Sequence, residues 1–259
     1  MTHPRRKIVG TIQARMNSQR YPGKVLTEVN GMPMLWWQIQ RLRFCKSIDQ
    51  LVVATTSNPA DEQLVDFCQS VGVDVFVGEE DNVLNRVAEA LVHSEASIHV
   101  EFFGDSPLVA PELVDSTIAK FLHYCRDKKT EFLWVTNAFT RTFPAGMEVS
   151  VYHATALHVV NELIDFNDKL REHAGYNLSR YPNLVRRIDV RAPQMFCYPN
   201  IHLEVDVPVD LPLIDAITES LHAKVGINFS LEEILSWCKQ NEHVVQKNMD
   251  VTRRWENLY

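Results

Sequence analysis

Four short apolar runs alternate with amphipathic segments over the first half of the chain. Few architectures accommodate that alternation. Residues 7–13, 49–56, 73–77 and 98–103 are rich in Val, Ile and Phe and end in turn-forming residues, which predicts strands buried on both faces. Helix-period segments follow them. One begins at Pro33 and sets Leu35, Trp36, Ile39, Leu42 and Arg43 on one stripe; the others span 61–71, 82–93 and 111–124. The predicted fold class is α/β, with a mostly parallel sheet covered by helices on both faces. Ligands of such sheets bind outside the carboxyl ends of the strands.

The pattern changes after Lys129. Strands are predicted at 132–135 and 147–152, a helix at 153–164, a polar stretch at 165–169 and a helix ending at Leu178. Residues 185–190 and 201–205 read as hairpin-type strands around Ala192-Pro193-Gln194, and 211–221 as a returning helix. Ser230 followed by Glu232 and Glu233 predicts a capped helix to Lys239, and the polar tail receives no assignment. The expectation is one domain over 1–259.

Composition narrows the function. The chain has 259 residues, 46% hydrophobic, enough for a substantial core. A net charge of −7 argues against general nucleic-acid binding. No 18-residue apolar run and no apolar leader after MTHPRRK occur, so a cytoplasmic protein without membrane insertion is expected. The five cysteines are scattered without metal-ligand spacing and read as reduced thiols.

The first strand runs into a loop carrying Arg15, Asn17, Ser18, Arg20, Gly23 and Lys24. Exposed backbone N–H groups there suit a polyphosphate, and the Arg forks and Lys charge would neutralise it. A merely basic, solvated loop is the alternative. The order A-R-M-x-S-x-R-x-P-G-K is more restrictive than a charge count and matches neither G-x-x-x-x-G-K-[ST] nor G-x-G-x-x-G. Asp105 follows a strand, and Asp206 ends an apolar run just before Pro208. Each reads either as a turn or cap aspartate or as one of two carboxylates holding Mg²⁺ with triphosphate oxygens. Asp210 reads as a charge at a helix N-terminus.

That first loop resembles the nucleotide-binding loop of cytidylyltransferases that make CMP-activated acidic sugars. The nearest group is the spore-coat polysaccharide (type 3) branch, related to CMP-Kdo and CMP-acylneuraminate synthetases. Val52-Val53-Ala54-Thr55-Thr56, Val83-Leu84-Asn85-Arg86, Gly104-Asp105-Ser106-Pro107-Leu108, Arg141-Thr142-Phe143-Pro144 with Gly146, Arg171-Glu172-His173 and Val205-Asp206-Val207-Pro208 follow in the same order. The resemblance spans about residues 7 to 215.

It implies a Rossmann-like, GT-A-like nucleotidyltransferase sheet with an inserted dimerisation and acceptor arm at about 137–200, and a homodimer. It implies attack of an acceptor hydroxyl on the α-phosphorus of CTP, with pyrophosphate leaving and Mg²⁺ as cofactor. The catalytic set would be Arg15, Lys24, Asp105 and Asp206, the two aspartates holding the metal. Gln13, Ala14, Arg15, Ser18, Arg20, Lys24, Thr55, Glu79, Asn82 and Gly104 would bind the nucleotide. Asn137, Arg141, Glu148, Arg171 and His173 would line the acceptor side, Arg141 or Arg171 facing a carboxylate. Arg86 reads equally as a helix-surface ion-pair partner or as a ligand contact.

Asn17, Tyr21, Glu101, Phe102-Phe103, Ser150 and Leu203-Glu204 depart from the family pattern. Phe103 is read as core, with stacking on a base or sugar as the alternative. The expected acceptor is a 2-keto sugar acid for surface-glycan or flagellin glycosylation. A phosphate or phosphonate acceptor and a catalytically silent nucleotide-binding partner stay open. A glycosyltransferase would want Asp-x-Asp, which Gly104-Asp105-Ser106 lacks.

Overall fold

The computed structural model describes residues 6–125 and 132–249. Strand β1 (Ile8–Gln13) leads through the first loop to a small hairpin, β2 (Glu28–Val29) with β3 (Met32–Pro33), and then to helix α1 (Met34–Leu42). Next come β4 (Gln50–Thr56), α2 (Glu62–Ser70), β5 (Asp74–Gly78), α3 (Val83–His93), β6 (Ile98–Phe103) and α4 (Pro111–Tyr124). The second half contributes β7 (Phe132–Thr136), β8 (Ser150–His153), α5 (Ala154–Leu163), β9 (Val185–Asp189), α6 (Leu211–Val225), α7 (Leu231–Gln240) and α8 (Glu242–Met249).

Seven strands form one sheet in the order β5-β4-β1-β6-β8-β7-β9. The first four are mutually parallel, β8 runs antiparallel to both β6 and β7, and β9 is parallel to β7. The carboxyl ends of β1, β4, β5, β6, β7 and β9 therefore share one edge. Successive side chains of a strand point to opposite faces, and the core is accordingly double. Ile8, Ile12 and Phe102 join α1, α4, α6 and α7 on one face, while Val9, Val52, Trp134 and Tyr152 join α3 and α5 on the other.

Three expectations need correction. The stripe of α1 buries Trp37, Gln38 and Arg41, whereas Trp36 is half-buried and Arg43 exposed. Arg41 is the cause: its guanidinium lies 4.1 Å from the Phe229 ring centre. It donates to the carbonyls of Leu108, Val109, Ile227 and Phe229, and burial lowers its pKa to about 10.

Residues 185–190 and 201–205 do not form a hairpin. Strand β9 pairs in parallel with β7, a geometry that the long crossover through α5 permits. The later stretch makes only one bridge, between His202 and Ala145. The helix expected to end at Leu178 is two short 3-10 segments, Lys169–Glu172 and Gly175–Arg180. Asp168 caps the first through the Leu170 N–H at 2.9 Å, and Asn177 of the second donates to the Leu170 carbonyl at 2.8 Å.

The cap at Ser230 forms as expected, with Glu233 bonding back to the Ser230 N–H at 2.7 Å. Part of the unassigned tail is α8; residues 250–259 lie outside the described residues. Within the 137–200 segment, β8 and β9 complete the main sheet. No helix among the described residues is long and apolar enough to cross a membrane.

Candidate active site

The first loop is fixed from below. The fully buried Asp61 accepts the Met16 N–H at 2.7 Å and the Thr55 hydroxyl at 3.0 Å, and also bonds the Thr56 hydroxyl. The Gly23 N–H returns to the Met16 carbonyl at 2.8 Å, closing the turn that delivers Lys24.

Lys24 then reaches under the loop, and its stem is buried. Its Nζ donates to Asp105 Oδ2 at 2.9 Å, to the Val205 carbonyl at 2.8 Å and to Asp206 Oδ1 at 3.3 Å. Arg20 grips Asp206 with both terminal nitrogens, each bond 2.7 Å. Two carboxylates from distant parts of the chain thus meet one ammonium at the carboxyl edge of the sheet, with a guanidinium fork behind.

The backbone holds both aspartates in place. The Asp105 carbonyl accepts the Val205 N–H at 2.8 Å, which ties the segment after β6 to the segment that carries Asp206. Asp210 is fully buried and accepts the N–H groups of Asp206 and Val207 at 2.8 and 3.0 Å. Its other oxygen takes the Asn248 amide of α8 at 2.7 Å. Asp210 therefore shapes the Asp206 turn as well as sitting at a helix start.

On the β4–β5 side, a cleft of about 510 Å³ lies over Ser57, Glu79, Glu80, Asp81 and Asn82, walled by Phe166 to Lys169, Arg171 and Glu172. Asn82 caps α3 through the Asn85 N–H at 3.1 Å. Glu79 is exposed and accepts from the side chains of Asn85 and Asn82. Hydrogen bonds from Asn58 and Asn17, with the Arg15 charge nearby, hold the Glu80 carboxyl below its usual range. Arg86 is buried beneath this loop and donates to the carbonyls of Glu79 and Glu80, so it is not a surface ion-pair partner. Ala14 bonds through its N–H to the Ala54 carbonyl at 3.3 Å, and Gln13 donates to Glu101 at 2.7 Å. Ser18 is half-buried, and its N–H turns back to the Met16 carbonyl at 2.9 Å. The Gly104 N–H meets the Gln13 carbonyl at 2.9 Å.

The residues expected on the acceptor side divide: Asn137, Arg141 and Glu148 line one recess, and Arg171 and His173 lie outside its lining. Asn137 spends both ends of its amide on backbone, at Met147 O (2.8 Å) and Val149 N–H (2.7 Å). Arg141 and Glu148 share a small recess with Phe143. Burial, reinforced by the Glu204 carboxylate and opposed by Arg141, pushes Glu148 up to about 7. Arg171 stands with Asn82 beside the β4–β5 cleft instead of beside Arg141. It clamps the carbonyls of Asp165, Asn161 and Ile164 and the side chains of Asn82 and Asn161. His173 is exposed and rests against the Tyr176 ring. Phe103 is 43% exposed, so it is not core.

Asp61, Glu101, Asp210 and Asn248 were absent from the expected set, because a buried polar anchor has no sequence signal beyond its type. Among the described residues, no group of three or more His, Cys, Asp or Glu side chains is placed to hold a metal. Asp105 and Asp206 form a pair of oxygen donors, the number Mg²⁺ uses when phosphate and water complete its shell.

The mostly parallel mixed sheet, with a basic first loop and two carboxylates at its carboxyl edge, has the α/β nucleotidyltransferase fold. The chain belongs to the cytidylyltransferase family, whose model matches residues 9–249, and is a CTP-dependent nucleotidyltransferase. It is 29% identical over 238 residues to the spore coat polysaccharide biosynthesis protein SpsF of Bacillus subtilis, covering 90% of this chain and 95% of that protein. The mitochondrial 3-deoxy-manno-octulosonate cytidylyltransferase of Arabidopsis thaliana is 34% identical over 118 residues, 44% of this chain and 39% of that protein. A cytidylyltransferase structure from Leptospira borgpetersenii superposes with a TM-score of 0.81 at 24% identity, covering 96% of this chain and 99% of that one. A CMP:2-keto-3-deoxy-manno-octonic acid synthetase structure with CTP has the same fold, with a TM-score of 0.59 at 20% identity, over 83% of this chain and 99% of that one.

Proposed function

We propose that the chain transfers CMP from CTP to a hydroxyl of a 2-keto sugar acid, releasing pyrophosphate, in surface-glycan or flagellin-glycan synthesis. The observation that carries this reading is the meeting of Lys24, Arg20, Asp105 and Asp206 within hydrogen-bonding range at the sheet edge. Arg15, Arg20 and Lys24 stabilise the negative charge that builds on the leaving pyrophosphate. Asp105 and Asp206 hold Mg²⁺, which when bound neutralises phosphate oxygens and acidifies the attacking hydroxyl. The cleft over Ser57 and Glu79 to Asn82 takes the nucleoside, and the amides and carboxylates there suit the N4 amino group and N3 of cytosine. Side-chain chemistry is otherwise modest. The loop and the two aspartates hold donor and acceptor in line, which is where most of the rate in such displacements arises.

The names of SpsF and of the 3-deoxy-manno-octulosonate enzymes support an acidic or polysaccharide-bound sugar as acceptor. A homodimer belongs to the same reading and is measurable by light scattering. The direct test is pyrophosphate release with Mg²⁺, each of CTP, ATP, GTP and UTP, and a panel of 2-keto sugar acids. Release with CTP and one acid is expected; release with a purine nucleotide instead overturns the reading.

A further inference from the structure

Phe103 is the last residue of β6 and stands two positions before Asp105. Its neighbour Phe102 is 1% exposed in the core, yet the Phe103 ring faces water at 43%. The position is rigid, for its carbonyl accepts the Gln38 amide at 2.8 Å and the Ser106 N–H at 3.2 Å. A large apolar ring held in the open beside a reaction centre invites a ligand surface.

The same face of the sheet carries more rings. Strand alternation puts Glu101 on the face of Phe103. Glu101 accepts the Gly175 N–H at 3.1 Å, a contact so close that a Cβ on Gly175 would collide with the carboxylate. Tyr176 follows, 44% exposed, its ring parallel to that of Phe139 with centres 6.3 Å apart. Phe139 is itself 38% exposed, and its ring is covered by the Arg187 guanidinium at 3.6 Å. These rings stand on the β8–β7–β9 side of Asp105, opposite the polar β4–β5 cleft.

We infer that Phe103 is a specificity-determining residue, the apolar floor against which the acceptor's sugar ring lies. This rests on the proposed transferase reading and adds the acceptor's chemistry to it. An aromatic face attracts polarised C–H bonds and methyl groups, and gives nothing to a hydroxyl that needs a hydrogen-bond partner. The preferred acceptor therefore turns a C–H or acyl-bearing face toward Phe103, and a fully hydroxylated face is disfavoured.

The test uses the full chain with CTP, Mg²⁺ and two probe acids, N-acetylneuraminate and 3-deoxy-manno-octulosonate. Phe103→Ala should raise the acceptor KM about tenfold with the CTP KM unchanged. Phe103→Leu, which keeps apolar area without a π face, should fall between. In the wild type, acceptor protons facing the ring should shift upfield on binding, and this shift should vanish in the Leu variant. An unchanged acceptor KM in the Ala variant while the wild type turns over overturns the role of Phe103 alone. A raised CTP KM would assign the ring to the base, and a changed oligomeric state would assign it to a second copy; either overturns the inference. Wild-type silence with both acids removes the sugar-acid acceptor reading and this inference with it.

Discussion

Replacing Lys24 with methionine keeps the buried stem and deletes only the charge. The ammonium now makes three charge-assisted bonds, to Asp105, Asp206 and the Val205 carbonyl. Breaking a buried ion pair by removing one partner costs about 3–5 kcal/mol. Two features reduce that figure here. The Asp105 side chain is 28% exposed, and Arg20 keeps its fork on Asp206. A loss of about 2–3 kcal/mol remains, which for a chain of this size lowers Tm by roughly 4–12 °C. Saturating Mg²⁺ should return most of the loss, because a ligand at 100 times its Kd stabilises by about 2.7 kcal/mol. Triphosphate affinity should fall about ten- to hundredfold, since one charged hydrogen bond contributes about 1.5–3 kcal/mol. Differential scanning fluorimetry with and without Mg²⁺, paired with CTP calorimetry, reads all three quantities. A Tm within about 1 °C of wild type, well below the expected loss, together with an unchanged CTP Kd, would refute both the ion cluster and its role in holding the triphosphate.

Asp105→Asn should lower Mg²⁺-dependent pyrophosphate release about a hundred- to thousandfold while circular dichroism stays native; normal turnover would remove Asp105 from the site. Gly146→Ala should lower stability by about 2–4 kcal/mol in urea unfolding. Gly146 holds a φ of 87°, and an added Cβ would stand 2.6 Å from the Leu203 carbonyl carbon; an unchanged midpoint would contradict that approach. Glu148→Gln should flatten the pH dependence of stability between about 4.5 and 7. The folded carboxyl titrates near 7 against an ordinary 4.5, so the native state holds its proton more tightly. Stability is full below the lower value and declines as pH rises through the higher. An identical pH profile in the variant would show that another group sets it.

The strand at 98–103 and the helix at 111–124 coincide with β6 and α4 to the residue. A short run of Ile, Val and Phe broken only by His99 and Glu101, and a proline-led amphipathic period, leave little freedom there. Among the described residues, the buried arginines Arg41, Arg86 and Arg171 were hidden for a common reason. Each reads in sequence as a charge, but in the fold each gives its donors to backbone carbonyls, Arg41 to those of remote loops and Arg86 and Arg171 to those of loops close by in the chain. No period in the chain announces that loops around 108, 227 and 229 will turn their carbonyls toward one side chain. The parallel pairing of β9 was hidden likewise, since an alternating strand near a proline looks the same whichever neighbour it adopts. In the site, the loop cations and both aspartates were visible as residue types after strands. Their convergence was not, for Lys24 and Asp206 stand 182 residues apart.

The turn at Asp206 is linked to the last described helix. The Asp206 turn is held by Asp210, and Asp210 is in turn held by Asn248 of α8. Asn248 is 1% exposed and lies outside the cluster of cations and carboxylates, so its truncation acts on Asp206 only through Asp210. Asn248→Ala deletes one hydrogen bond to a buried carboxylate, a cost of about 1.5–3 kcal/mol, part of it local loosening of the turn. A purely structural role predicts lower Tm with normal metal affinity once the variant is folded. Positioning predicts more: at temperatures where the variant remains folded, its Mn²⁺ affinity in the presence of CTP should fall severalfold, read by electron paramagnetic resonance of the free ion. Asn248→Asp should not rescue it, because a second carboxylate against Asp210 adds repulsion. Wild-type Mn²⁺ affinity in a folded Ala variant would sever α8 from the Asp206 turn.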